Sequence, residues 1–287
     1  MSDLVSDPAP ALPFVTSVVH PTDFSEASNV AFAHALAVAL IRQTSFFVLH
    51  VGHVEAENPW IEFPGVRGTL TRWGLLGEDA PRSAVFDEFK VRVTKVAVRA
   101  RDPVEGVEEF LREHQVDLMV LATEGREGLP RWMRRSTAER LARASATMTL
   151  FVPAGVPGFV DPGTGRTSLR RILVPIDHAP DPTDAVVVAT RLARGIGDPP
   201  VEIVLLHVGD GAAPAPPCPG DEAWRFVSRH DRGDPVDAIL RAAAELSVDA
   251  VVMATAGRDG IVDALRGSVT ERVLRGAPCP LLAVPAR

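Results

Sequence analysis

Glycine and serine residues near the C-terminus have the types and the spacing that could bind a phosphate group. Gly257 follows the apolar run Asp249–Thr255, and Gly267-Ser268 comes after nine further residues. Glycine allows backbone N–H groups to approach a phosphate closely, and a Gly-Ser pair at a helix N-terminus adds a hydroxyl and the positive end of the helix dipole. The spacing therefore suggests a phosphate-binding loop, although a glycine after a strand also serves simply as a tight turn.

Two positions upstream could bind the rest of a nucleotide. Asp177 follows the short apolar run Arg171–Pro175, where a carboxylate can accept hydrogen bonds from a ribose hydroxyl or a base amine. Its alternative role is that of an N-cap for the next helix, and the sequence leaves both open. Val208 ends a second apolar run, where its backbone could contact the edge of a base.

The same pattern recurs in the first half of the chain. Asp102–Pro153 aligns with Asp234–Pro285 without a gap, with more than a third of the positions identical. The chain is therefore a duplicated domain. Upstream, Asp23 matches Asp177 and Val51 matches Val208, but at larger offsets, so the first repeat carries roughly 25 extra residues.

The first repeat departs from the phosphate-loop pattern. Gly125 and Ser136 are retained, but Glu124 brings a negative charge and Arg135 stands where the second repeat has Gly267. We therefore expect weaker nucleotide binding there, through Asp23, Val51, Gly125 and Ser136. The extra residues fall mainly within 55–82 and include Trp60, Phe63 and Trp73, which we expect to pack against the first repeat rather than to bind a partner.

Alternating apolar strands and helices must position these residues. Continuous apolar runs separated by helical stretches indicate parallel sheets covered on both faces, where ligands bind beyond the carboxyl ends of the strands. Asp102-Pro103 and Asp234-Pro235 have the residue types of a helix N-cap followed by a first-turn proline, and a further helix is predicted at Val262–Leu274. The predicted strands are Val15–His20, Ser45–Val51, Val93–Arg99, Leu118–Thr123 and Thr149–Val152, then Arg171–Pro175, Val201–Val208, Arg225–His230, Asp249–Thr255 and Pro280–Val284.

Two segments resemble motifs of the universal stress proteins. His20–Glu26 resembles the opening motif of that family, and Gly267–Val273 resembles its closing motif. The resemblance implies two tandem five-stranded parallel α/β units, adenine-nucleotide alpha-hydrolase-like and Rossmann-like, at residues 14–153 and 169–287 with a linker at 154–168. It also implies an intramolecular pseudo-dimer formed through Thr149–Val152 and Leu281–Val284.

The resemblance further implies an ATP site in the second repeat, with Mg²⁺ as an optional companion. Ala254 replaces the first glycine of the family's ATP pattern, and Ala256 stands where many members have a histidine. Carried over residue by residue, the site comprises Pro175, Asp177, Val208, Met253, Ala254, Gly257, Gly267, Ser268 and Val269.

Composition excludes several other functions. The net charge of −7 and the pI of about 5.6 argue against a nucleic-acid partner. Two cysteines cannot form a disulfide framework, and no apolar run approaches the roughly 20 residues of a membrane span. The N-terminus lacks the pattern of a secretion signal, so we expect a cytoplasmic protein without a membrane partner.

The sequence leaves three functions open. The first is a stress-response regulator that binds ATP or a related adenine nucleotide, mainly in the second repeat, with little or no hydrolysis. The second is a scaffold or chaperone-like protein that binds no nucleotide, which Ala254, Ala256, Glu124 and Arg135 favour. The third is a weak ATPase, although we find no residue pattern for nucleophilic catalysis and no metal-binding motif. A homodimer of two chains is a further expectation left open.

Overall fold

Ten strands form one sheet in the computed structural model, which describes residues 15–41, 44–52, 63–123, 147–156, 158–255 and 269–286. In the order of the chain, they are β1 Ser17–Pro21, β2 Ser45–Gly52, β3 Arg92–Arg99, β4 Leu118–Thr123, β5 Met148–Pro153, β6 Leu169–Pro175, β7 Gly197–Val208, β8 Trp224–Asp231, β9 Ala250–Thr255 and β10 Leu281–Pro285. Their order across the sheet is β3-β2-β1-β4-β5-β10-β9-β6-β7-β8. We call β1–β5 with their helices the N-terminal half and β6–β10 with theirs the C-terminal half.

The two halves meet at an antiparallel seam. Within each half all strand pairs are parallel, whereas β5 and β10 are antiparallel, with Leu150 opposite Leu282 and Phe151 opposite Leu281. These four side chains are buried. The predicted fold class and the predicted pairing of the two repeats within one chain are therefore confirmed.

Seven helices of the described residues connect the strands. They are α1 Glu26–Leu40, α2 Val66–Arg72, α3 Ala84–Phe89, α4 Pro103–Glu113, α5 Thr183–Ile196, α6 Pro235–Glu245 and α7 Val269–Gly276. The predicted caps of α4 and α6 are confirmed, because the carboxylates of Asp102 and Asp234 accept hydrogen bonds from the N–H groups of Val104 and Val236, both at 2.9 Å. The helix predicted at Val262–Leu274 extends to Gly276, and residues 256–268 lie outside the described part.

Strand order reverses once in each half and opens a crevice there. β1 pairs with β4 only at Val18–Val19, and β6 pairs with β9 only at Ile172–Leu173. β9 and β10, by contrast, stay paired over five residues, from Val251 to Thr255. The carboxyl ends of β6 and β9 therefore separate, and such a switch point is where open α/β sheets bind ligands.

The long connection between β2 and β3, which holds the extra residues of the N-terminal half, contains helices α2 and α3, which the sequence pattern did not reveal. Phe63 is buried, and the indole N–H of Trp73 donates to the carbonyl of Pro162 at 3.0 Å. Both aromatics therefore pack within the protein, as we expected, although Trp73 contacts the linker. Trp60 lies outside the described residues.

The linker is more ordered than its glycines and prolines suggest. Phe159 is fully buried, with its ring 4.7 Å from the imidazole of His34 in α1. The backbone N–H of Val160 donates to His34 Nε2 at 3.3 Å. This part of the linker is therefore fixed to the N-terminal half.

Smaller differences concern strand ends and apolar helices. β7 begins at Gly197 rather than at Val201, because Gly197 pairs with Leu169 ahead of an irregularity in the β6–β7 ladder.

In the described part of the chain, no helix is both long enough and apolar enough to span a membrane.

Candidate functional site

A pocket of about 230 Å³ lies at the switch point of the C-terminal half. It opens beyond the carboxyl ends of β6, β7 and β9, and the first turns of α6 and α7 complete its wall. Six of the residues predicted from sequence line it together: Pro175, Asp177, Val208, Met253, Ala254 and Val269. The fold therefore brings residues up to about 90 positions apart in the sequence into one site.

Most of the pocket wall is apolar, which the sequence analysis did not anticipate in full. Ile176, Leu206, Pro235 and Ile239 also line it, together with Ala179, Pro180, Thr255 and Thr270. Ile239 belongs to the apolar face of α6, and an apolar helix face does not by itself show that it borders a cavity. An apolar wall with few polar groups is typical of a small-molecule site.

Asp177 is the exposed carboxylate of the pocket wall. Its Oδ1 accepts a hydrogen bond from the backbone N–H of His178 at 2.7 Å. Helix α5 begins at Thr183 with Pro182 as its N-cap residue, so Asp177 does not cap a helix. The alternative role that we left open for Asp177 is therefore wrong, and Oδ2 forms no hydrogen bond within the described part of the chain.

The loop that carries Asp177 is tied to the end of β7. The N–H of Ile176 donates to the carbonyl of Leu206 at 2.8 Å, and Nδ1 of His207 lies 3.3 Å from the carbonyl of Ile176. His207 is buried, and its Nε2 has no hydrogen-bond partner among the described residues. His50 makes the equivalent contact in the N-terminal half, where its Nδ1 lies 2.8 Å from the carbonyl of Thr22. Both histidines therefore fix the loop after the first strand of their half.

The predicted phosphate loop connects two residues of the pocket wall. Thr255 ends β9 and Val269 begins α7, and both line the pocket. The segment 256–268 stands between them in the sequence. Its predicted site residues Gly257, Gly267 and Ser268 lie outside the described residues, as do Ala256 and, in the N-terminal half, Glu124, Gly125, Arg135 and Ser136.

Aromatic rings gather at the equivalent strand ends of the N-terminal half. The ring of Phe24 stacks on His50 at 4.2 Å, and Phe63 packs edge-on against Phe24 at 5.5 Å. Asp23 and Val51 lie at these strand ends and are partly buried. The carboxylate of Asp23 accepts from the N–H of Ser25 at 2.9 Å, and Ser25, not Asp23, is the N-cap of α1.

A buried polar cluster lies below those rings. Nδ1 of His20 is 3.0 Å from the carbonyl of Val120, and Nε2 is 3.2 Å from the hydroxyl of Ser28, which donates to Thr22 at 2.9 Å. These contacts bridge β1, β4 and α1 at the point where β1 and β4 separate. Burial lowers the pKa of His20 from 6.5 to about 4, against the opposing effects of the Val120 carbonyl and the Asp23 charge. The imidazole is therefore neutral near pH 7.

The described residues contain no group of three or more His, Cys, Asp or Glu side chains that could hold a metal ion. The two switch points define an α/β protein of the doubly wound, Rossmann-like class. In its C-terminal half, the switch point has an open, mostly apolar pocket of the kind that binds ligands.

Comparison with known proteins gives the family. The model of the universal stress protein family matches residues 15–153 and 225–285, more than half of the chain. The chain therefore belongs to the universal stress protein family, as the sequence motifs suggested. A universal stress protein of Methanocaldococcus jannaschii is 25% identical over 147 residues, which cover 42% of this chain and 84% of that protein.

Solved structures share the tandem fold. A universal stress protein from Archaeoglobus fulgidus superimposes with a TM-score of 0.61 at 16% identity, covering 95% of this chain and 99% of that one. A functionally unknown protein from Pseudomonas aeruginosa PAO1 gives a TM-score of 0.56 at 12% identity, with 95% and 93% covered. At these identities the likeness concerns the fold of the whole chain.

Proposed function

We propose that this universal stress protein binds ATP or a related adenine nucleotide in its C-terminal half and acts as a cytoplasmic stress-response regulator with little or no hydrolysis. One observation carries the proposal: the residues predicted to bind the base and ribose converge on a single pocket at the switch point. Its volume of about 230 Å³ is below the roughly 300–1,000 Å³ of sites for whole drug-sized ligands. The pocket therefore suits a base with its ribose, with the phosphates directed beyond it.

Each part of the nucleotide has a candidate contact. The apolar wall formed by Ile176, Val208 and Met253 suits the two faces of a purine ring. Asp177 lies on the wall with Oδ2 able to accept from a ribose hydroxyl. The segment 256–268 contains Gly257, Gly267 and Ser268 and stands in the sequence between Thr255 and Val269 of the pocket wall; we propose that it contacts the phosphates. If Mg²⁺ accompanies ATP, it would neutralise phosphate charge.

The N-terminal half is less suited to bind a nucleotide. Phe63 covers Phe24 and His50 at its strand ends, and Arg135 replaces the glycine that would approach the phosphates. We therefore propose that Asp23, Val51, Gly125 and Ser136 contribute no comparable site.

A matched pair of variants tests this assignment. Asp177→Ala and Asp23→Ala remove the same group from equivalent positions of the two halves. A hydrogen bond to a charged group contributes about 1.5–3 kcal/mol, and the exposure of Asp177 favours the lower end. We expect Asp177→Ala to weaken ATP binding roughly tenfold in isothermal titration calorimetry, and Asp23→Ala to leave it unchanged.

Three further measurements test the assignment and decide between the three functions. Gly267→Arg imports the residue of the N-terminal repeat and is expected to abolish ATP binding. Absence of adenine nucleotide in the purified, denatured protein, together with no thermal shift in ATP-Mg²⁺, would leave the scaffold or chaperone-like function. Release of phosphate from ATP at a rate that Asp177→Ala lowers would indicate the weak ATPase instead.

A further inference from the structure

A second, larger pocket lies in the N-terminal half beside helices α2 and α3, which have no counterpart among the described residues of the C-terminal half. It is open to solvent, has a volume of about 740 Å³, and is formed by α2, α3 and the edge strand β3. Four cationic side chains line it: Arg67, Arg82, Arg92 and Lys95. Four valines and the ring of Phe86, which is 47% exposed, complete its surface. The lining contains no acidic residue.

Three of the four cations make contacts that hold them in place without neutralising them. The guanidinium group of Arg67 donates to the carbonyl of Ala80 at 2.9 Å, and that of Arg92 lies 5.9 Å from the centre of the Phe86 ring. The ammonium group of Lys95 lies 5.7 Å from the centre of the Phe63 ring. Burial lowers the pKa of Lys95. Within the described ranges, no carboxylate forms an ion pair with any of the four.

The opposite edge of the sheet provides an internal comparison. On β8, which occupies the place of β3 in the C-terminal half, Arg225 pairs with Glu202 at 2.6 Å and Arg229 pairs with Asp231 at 3.0 Å. Arg232, just beyond the strand, pairs with Asp210 at 2.8 Å. The cations of one edge strand are thus balanced by carboxylates of the protein, whereas those around the pocket beside β3 have no such partners among the described residues.

We propose that this pocket binds a small oligophosphate anion, either free or as the phosphate chain of a nucleotide. Guanidinium groups match phosphate oxygens with two parallel hydrogen bonds, and three arginines surround the pocket. A pocket of about 740 Å³ lies within the roughly 300–1,000 Å³ range of small-molecule sites. Repulsion between converging cations is relieved when a polyanion enters, which favours several linked phosphates over a single one. Phe86 and the valines could contact the organic part of a phosphate ester.

Calorimetric titration of the full chain with tripolyphosphate tests the proposal directly. The variant Arg82→Gln/Arg92→Gln changes two exposed side chains and should fold normally, which its melting temperature verifies. Each lost phosphate contact lowers affinity about tenfold, so we expect the pair to lower it roughly a hundredfold. Arg225→Gln/Arg232→Gln removes the same charge from the opposite edge and should leave affinity unchanged. Lys95→Met provides an independent variant with an expected loss of about tenfold.

Titration with ATP in the Gly267→Arg protein, which we expect not to bind ATP in the C-terminal half, distinguishes the two sources of phosphate. Equal affinities for ATP and tripolyphosphate would indicate that the pocket recognises the phosphate chain alone. If ATP binds more tightly than tripolyphosphate and Phe86→Ala abolishes the difference, the pocket recognises a nucleotide. Any of three results would overturn the proposal. The first is that neither ligand binds, and the second is that Arg82→Gln/Arg92→Gln leaves the affinity for both ligands unchanged. The third is that the Arg225→Gln/Arg232→Gln control loses as much affinity as Arg82→Gln/Arg92→Gln. None of these outcomes depends on ATP binding in the C-terminal half.

Discussion

Gly158→Ala is expected to loosen the linker from the N-terminal half. A Cβ atom at Gly158 would lie against Cε1 and Nε2 of His34, closer than van der Waals contact allows. The imidazole cannot easily retreat, because Nδ1 is 2.8 Å from the carbonyl of Val30 and Nε2 accepts from Val160 at 3.3 Å. Its ring also packs edge-on against Phe159, which is fully buried.

The size of the expected loss of stability follows from those contacts. Adding a methyl group to a well-packed interior costs about 1–3 kcal/mol, and loss of the Val160 hydrogen bond adds about 1 kcal/mol. We therefore expect the free energy of unfolding to fall by about 2–4 kcal/mol and the melting temperature by roughly 5–10 °C. Urea denaturation followed by circular dichroism, with calorimetry, measures both.

Gly220→Ala is the matched control, because nothing lies within 4 Å of a Cβ at that position. It should change stability by less than about 0.5 kcal/mol. His34→Ala should be destabilising alone and should cost much less in the Gly158→Ala background, because the clash is then absent. Equal stabilities of Gly158→Ala and Gly220→Ala, or strict additivity of Gly158→Ala with His34→Ala, would refute the reasoning.

Three further predictions concern the pH response, the pocket and the seam. Burial lowers the pKa of both His20 and His34 from 6.5 to about 4, so the folded state binds fewer protons than the unfolded state between these values. Stability should be complete above pH 6.5 and fall as pH drops toward 4, by up to about 1.4 kcal/mol per pH unit for each histidine, and His34→Gln should make the decline shallower in urea titrations at each pH. Ala254→Leu should fill part of the C-terminal pocket and lower ATP affinity at least about tenfold in calorimetry, with stability within about 1 kcal/mol of the parent. Leu282→Ala should lower the free energy of unfolding by about 2–5 kcal/mol in urea denaturation, because this side chain is 2% exposed in the seam between the halves.

Much of the fold follows from the sequence because the repeat and the apolar runs are local signals. The caps Asp102 and Asp234 and the strands themselves can be placed from the amino-acid sequence alone, since Asp-Pro and continuous apolar runs have few alternative explanations. The pairing of the last strands of the two repeats followed only from the family resemblance. Helices α2 and α3 were missed because each is short and belongs to a segment without a counterpart in the second repeat. The docking of Phe159 on His34 depends on contacts 125 residues apart, which no local pattern encodes.

The C-terminal pocket could be predicted in part. Asp177 and Val208 were identified because each follows or ends a strand, and parallel strands bring their carboxyl ends to one edge. Ala254 was identified from the resemblance to the family's ATP pattern. Ile239 was missed as a pocket residue because an apolar helix face looks the same in sequence whether it meets a sheet or a cavity. The basic pocket escaped detection because Arg67, Arg82, Arg92 and Lys95 are scattered over elements that only the structure brings together.

Phe63 connects the two distinctive features of the N-terminal half. Its ring packs against Phe24 and His50, which lie where the C-terminal half has its switch-point pocket, and it also lies beneath the ammonium group of Lys95 in the basic pocket. The inserted segment that covers the first position therefore also helps to build the second. In the C-terminal half, His178 stands in place of Phe24 and no insertion follows β7, so the switch-point pocket stays open. A single insertion into one repeat thus accounts for two halves with the same sheet topology and different surfaces for binding.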